Sequence, residues 1–162
     1  MLNKKILITF AIIGLLISAG CGTSVKSDLD EYLKFQQGMS VEVAPMMADF
    51  NSKVNQIMSN RLVIDNKEEK VKTLNDIVQK FTVLAEKQKA YKPKTKEVQE
   101  VHNKAIKQVD MTLEELNKIM QAVQSDTFDQ TTINDINKKR QELQQVAKEY
   151  KEDIKNLQEK NK

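Results

Sequence analysis

One residue in this chain carries a chemical handle that its surroundings make usable. Cys21 is the only cysteine among 162 residues. Its thiol has no intrachain partner for a disulfide, and it is the one side chain able to take a thioether link. It directly follows Ser18-Ala19-Gly20, small residues that leave the adjoining peptide bond and the sulfur open to processing enzymes. Elsewhere the residue types fall short of a site. His102 is the sole histidine. A di-iron bundle requires Glu-x-x-His pairs, and Gln99 stands three residues before it; a zincin requires His-Glu-x-x-His, and Asn103 follows it. Asp126 to Asp135 is acid-rich but lacks the alternating ligands, the Gly and the terminal Glu of a calcium loop. Met39, Met46, Met47, Met58, Met111 and Met120 recur at helical spacing among Leu and Val, which reads as core packing rather than an adaptable groove. Tyr32, Tyr91 and Tyr150 are too dispersed along the chain to argue for a sugar-stacking platform. The expectation is a non-enzyme with no catalytic residue, no metal and no cofactor, and with Cys21 as its one modified position.

The residues before Cys21 explain what would be done to it. Lys4 and Lys5 precede an uncharged run of 15 residues, Ile6 to Gly20. A permanent membrane span needs about 20 apolar residues, so this run is short, and no positive flank follows it to stop transfer. Charge, apolar run and small residues in that order describe an export signal. Ile17-Ser18-Ala19-Gly20-Cys21 resembles the lipobox of bacterial lipoproteins, with Ser18 where that family usually has Leu. The resemblance covers the signal alone. It implies cleavage before Cys21, a diacylglycerol on its sulfur and attachment at the extracytoplasmic face of the cell membrane, where two or more acyl chains hold stably. The expected layout is a signal peptide over 1–20, the lipidated Cys and a short tether over 21–27, and a folded domain over 28–160.

The chain carries 26 basic and 23 acidic side chains. Loss of Lys4 and Lys5 with the signal leaves a net charge near +1, which makes no case for nucleic-acid binding. With no disulfide available, stability has to come from packing. Four glycines, two prolines and no tryptophan, with abundant Lys, Glu, Gln and Asn, describe long helices rather than a sandwich or barrel.

Periodicity places those helices. Ser27-Asp28-Leu29-Asp30 reads as a start with a capping serine and acids in the first turn, after a polar tether over 22–26. Leu29, Tyr32, Leu33, Met39, Val43, Met46, Met47, Phe50, Val54, Ile57 and Met58 then keep one face apolar. Gly38 and Pro45 predict a kink or short break over 38–45. Leu62-Val63-Ile64 lies in a turn, and Asp65 with Glu68 matches a capping box for a second helix ending at Lys92-Pro93. Pro93 suits the first turn of a third helix whose face runs from Val98 through His102 to Val123. Thr127 with Gln130 offers the next cap. The fourth helix carries Ile133, Ile136, Arg140, Leu143, Ala147, Tyr150, Ile154 and Leu157, a heptad seam with one polar member, Arg140, and frays over 159–162.

Four segments of roughly 33, 26, 31 and 33 residues, about 39–50 Å each, with short turns, predict an all-α fold: an antiparallel up-down bundle of three to four long helices. Pinning Cys21 at the membrane would bring the second turn and the C-terminus to the lipid, a basic pole with Lys87, Lys89, Lys92, Lys94 and Lys96, and put an acidic pole with Asp65, Asp126, Asp129 and Asp135 outward. Helix-dipole matching alone produces part of that asymmetry. The layout, a lipobox followed by a charged helical domain, also resembles the cell-wall-binding helical lipoproteins of Gram-positive bacteria. That likeness implies an envelope location and carries over no binding residue. The functional expectation is a non-catalytic binding module with an envelope protein or cell-wall polymer as partner, besides the membrane lipid at Cys21. The alternative is a small-ligand or metal carrier using a pocket between helices.

Overall fold

The computed structural model describes residues 24–59, 67–125, 127 and 129–161. They form α1 (Ser24–Ser59), α2 (Lys67–Ala90), α3 (Lys96–Gln124) and α4 (Gln130–Lys160), an all-α bundle. Cys21 and its signal, the Leu62-Val63-Ile64 turn, Asp65 and Asp126 lie outside the described residues.

Cross-helix pairs fix the directions. Lys104, Glu114, Glu115 and Lys118 of α3 pair with Asp153, Lys139, Arg140 and Asp135 of α4, so numbers rise on one helix as they fall on the other. The start of α1 meets the α2–α3 connection through Asp28 and the end of α4 through Tyr32 and Tyr150. The helices therefore alternate up and down. α1 and α3 each pack against all three others, α3 most extensively, whereas α2 and α4 do not approach one another among the described residues.

The apolar faces meet in two clusters. One joins α1 from Met39 to Val54 with Leu74 to Ala85 of α2, Val109 to Val123 of α3 and Ile136 of α4. The other, at the pole where α1 begins, joins Leu29, Tyr32 and Leu33 with Val98, Val101 and Ala105 of α3 and with Tyr150 and Ile154 of α4. Phe50, Phe81, Leu74, Leu116 and Ile119 are fully buried, and each such side chain contributes about 1.5–3 kcal/mol of transfer free energy.

Six local expectations are corrected. Ser24 to Lys26 are helical rather than a tether, because Val25 already packs on the lower cluster and draws the first turn into the helix. Ser27 is consequently inside α1 and not its cap. The break expected over 38–45 is absent: α1 runs through Gly38 and Pro45. Pro45 removes the donor for the Val41 carbonyl, but both residues are exposed, Val41 at 70 %, so water can satisfy that carbonyl. Pro93 stands before α3 rather than in its first turn, since Thr95 in extended conformation (φ −108°, ψ 152°) is the N-cap. Thr127 does not cap α4. Asp129 does, accepting from the Thr132 N–H at 2.8 Å, while the Thr127 carbonyl accepts from Thr132 Oγ1 and its N–H donates to the Ala122 carbonyl. The expected fraying is later than predicted, since α4 persists to Lys160 and the Asn161 amide donates to the Leu157 carbonyl at 2.8 Å.

Candidate functional site

Three sequence-dispersed tyrosines and the sole histidine converge at the pole where α1 begins. The Tyr32 and Tyr150 hydroxyls share a hydrogen bond of 3.1 Å. Tyr32 lies 5.7 Å from Tyr91 and 5.6 Å from His102 between ring centroids, the latter edge-on. Tyr91 stacks on Phe35 at 4.3 Å and meets the His102 ring at 5.7 Å. Dispersal along the chain therefore does not keep the tyrosines apart in the fold, although they form no open stacking platform. The up-down fold brings the start of α1, the end of α2 and the end of α4 to one level, and sequence distance does not show that. The rings are consumed by packing, since Tyr32 is fully buried and Tyr150 nearly so. Burial raises both hydroxyls, Tyr150 to about 12.

His102 is 0 % exposed. Its Nδ1 lies 3.3 Å from Gln88 Nε2, and no protein group hydrogen-bonds its Nε2. Burial and the nearby Lys92 charge both lower its pKa, with partial opposition from the Tyr91 backbone, so the ring is neutral at pH 7. A neutral ring among tyrosines is a packing histidine, as its place on the α3 face suggests.

Beneath this cluster Asp28 serves as a cap for a different helix. Its carboxylate accepts from the N–H of Lys94 at 2.9 Å and 3.0 Å, from the N–H of Thr95 at 2.8 Å and from Thr95 Oγ1 at 2.7 Å. α3 receives no side-chain cap from its own Thr95, so Asp28 satisfies donors at its start.

The middle of the bundle holds the second polar feature. Arg140 Nε donates to Glu115 Oε1 at 2.6 Å, with Glu115 only 1 % exposed. Burial pushes the Glu115 carboxyl up, against the opposing charge and hydrogen bond of Arg140 and the charge of Lys139. Glu115 Oε2 and Arg140 Nη2 find no protein partner, nor do Gln36 Nε2 on α1 and Gln108 Nε2 on α3. The signal for this feature was present in part. An arginine on a heptad seam needs an acid on the facing helix, and an antiparallel register selects the Glu114-Glu115 pair. Gln36 and Gln108 carried no such signal.

The remaining expected residues are structural. Met39 and Met47 are core, and Met46 and Met120 pack against it. Asp129 caps α4 and Asp135 pairs with Lys118 at 2.7 Å. Among the described residues no group of three or more His, Cys, Asp or Glu side chains is placed to hold a metal ion, and no helix is long and apolar enough to cross a membrane. The basic pole is less bare than its sequence suggests: Lys94 pairs with Glu31, Lys87 with Glu42, and Lys89 with Glu86 and Asp110.

Fold and side chains together define an all-α antiparallel bundle with a Glu115–Arg140 ion pair between α3 and α4. Comparison with protein-family models, with curated proteins and with solved structures returned no match.

Proposed function

We propose that this chain is a lipid-anchored, extracytoplasmic helical lipoprotein that acts as a non-catalytic binding module at the cell envelope. The observation that carries the reading is the run Ile6 to Gly20 ending in Ser18-Ala19-Gly20-Cys21, with the helical bundle beginning only three residues later at Ser24. Three residues reach at most about 11 Å, so acylation of Cys21 would hold the pole of Asp28, Tyr32 and Tyr91 against the lipid. An envelope protein or wall polymer would meet the other surfaces. A small-ligand carrier is the second reading, supported by the buried polar atoms on α1, α3 and α4 that have no protein partner.

The test is metabolic labelling with an alkynyl palmitate in a bacterium that processes lipoproteins. The wild-type chain is expected to take up label and fractionate with membranes, and Cys21→Ser to lose both. A wild-type chain that stays unlabelled would overturn the lipoprotein reading.

A further inference from the structure

Acid acts in opposite directions at two levels of this bundle. His102 lies between Val101 and Ala105 of the lower cluster, and Glu115 lies in the part of α3 that the upper cluster uses. They stand about 20 Å apart along the helix. Each is at most 1 % exposed, and each holds one polar atom without a protein partner, His102 Nε2 and Glu115 Oε2. Burial favours the uncharged form of both, which is the protonated carboxyl but the unprotonated imidazole.

The surroundings of the His102 ring offer nothing to a positive charge. Gln88, 2 % exposed, turns its amide nitrogen toward Nδ1 at 3.3 Å. An amide N–H can only donate, so with this amide orientation Nδ1 is the unprotonated nitrogen. A second proton goes there and sets one N–H against another. α1 brings Tyr32 edge-on to the ring, while its acids Asp28 and Glu31 are engaged by Lys94 and Thr95. α2 brings Gln88, and its Lys89 is tied to Glu86 and Asp110. The α2–α3 connection brings Tyr91 and Lys92. The Lys92 charge repels an imidazolium, and the Tyr91 backbone alone favours one. α4 reaches this level through Tyr150 on Tyr32, and its Asp153 pairs with Lys104.

A charged ring therefore has to meet water, and a covering residue has to move. Tyr32 is fully buried, whereas Tyr91 is half-buried at the connection. Tyr91 stacks on Phe35 of α1, and Asp28 binds the connection beside it. We propose that the junction between the 91–95 connection and the start of α1 is an acid-sensitive latch: protonation of His102 parts Tyr91 from Phe35 and Tyr32 and opens this pole, while the Glu115 level stays closed.

The directions of titration agree. Burial and the Lys92 charge hold the His102 pKa below the usual 6.5, so its contribution to stability is present above that value and lost as pH falls toward the folded one. Burial raises the Glu115 carboxyl against the pull of Arg140, and a raised group favours folding at low pH. Burial acts against the Asp28 charge, but its donors hold the pKa below 3.8. Asp28 thus keeps its grip on the connection until stronger acid, and opening below pH 6.5 is local and reversible. The inference is independent of lipidation at Cys21.

The test uses the full chain in detergent. His102 is the sole histidine, so its ring signal titrates without overlap in NMR. Amide hydrogen exchange, corrected for the pH dependence of the chemical step, follows each level by mass spectrometry. Between pH 7.5 and pH 5 the opening constant over residues 28–35 and 91–102 is expected to rise about threefold or more. Residues 74–85 and 116–123 should keep their protection, and the His102 midpoint should lie below 6.5. His102→Gln has no charge to gain and should abolish the rise. Lys92→Ala, at an exposed position, should raise the His102 midpoint and reduce the rise. Thermal midpoints at pH 7.5 establish that the variants fold, and Lys92→Ala carries the test alone if His102→Gln does not. A His102 midpoint at or above 6.5, no rise in the wild-type chain, an equal rise at both levels, or a rise that either folded variant leaves undiminished overturns the proposal.

Discussion

At Asp28 a single carboxylate does work that sequence reading assigned elsewhere. An acid one residue after a serine looks like a first-turn residue of its own helix, but its four hydrogen bonds all reach Lys94 and Thr95. Burial acts against the charged form. The backbone and hydroxyl donors, with the Lys94 charge, outweigh it and hold the pKa below the ordinary 3.8. A depressed folded-state pKa means stability that is present above the unfolded value and lost as pH falls through the folded one. Asp28→Asn is therefore expected to lower the unfolding free energy by about 2 kcal/mol at pH 7, with the gap to wild type shrinking below about pH 4; urea titrations at pH 7 and pH 3 check both. A gap that is the same at the two pH values would show that the carboxylate's charge is not what ties α1 to α3. The residue scale is where the sequence was least legible. Asp28, Gln88, Gln36 and Gln108 gain their partners, or lack them, only through tertiary approach, and the tyrosine cluster has contributors more than a hundred residues apart.

At the scale of elements the periodic faces were legible because burial selects them: Leu74, Ile77, Val78, Phe81 and Leu84 of α2, and Val98 to Val123 of α3, are the core that the 3.6-residue repeat implies. The ends and interruptions were not, since a proline or a capping residue acts according to which side of the helix it occupies. Pro45 on the solvent face leaves α1 intact, and Val25 extends it backward. The α3–α4 pairing shows how two elements can be matched by charge inside a core. Removing one partner of a buried pair strands the other, at about 3–5 kcal/mol, whereas replacing both by apolar groups is neutral or stabilising. Arg140→Met is thus expected to destabilise strongly, and Glu115→Leu with Arg140→Met to recover wild-type stability or exceed it. The Glu115 carboxyl is already raised by burial against the pull of Arg140, and loss of Arg140 raises it further. A group raised in the folded state favours folding at low pH and loses that contribution as pH rises through its folded pKa. The defect of the single variant should therefore ease on acidification from pH 7 toward the ordinary carboxylate range near 4.5. Chemical denaturation of the wild-type chain and the two variants across that range measures it, and a pH-independent defect would point to lost arginine packing instead.

For the whole molecule, the proposed acyl anchor at Cys21 has to be weighed against a second possible hold on the membrane, by charge. Asymmetry between poles was read from residue counts along the chain, and the fold alters the arithmetic. Glu31 and Glu42 of α1 and Asp110 of α3 sit opposite Lys94, Lys87 and Lys89, so lysines that looked free at the second turn have carboxylates from neighbouring helices. Lys26, Lys92, Lys96, Lys151 and Lys160 are in no ion pair among the described residues. A basic residue at an anionic surface contributes about 1 kcal/mol, so five of them give at most about 5 kcal/mol, near millimolar binding even if all reach the surface together. Two acyl chains on one cysteine give stable attachment. If the lipoprotein reading holds, the lipid dominates and the lysines set orientation at most. The full chain with Cys21→Ser is accordingly expected not to sediment with phosphatidylserine vesicles at about 150 mM salt, where the Debye length is near 8 Å, and to show only marginal sedimentation at 10 mM. Sedimentation comparable to the acylated protein at low salt, abolished by Lys92→Ala with Lys96→Ala, would reverse the ranking and make the pole a membrane-binding surface in its own right.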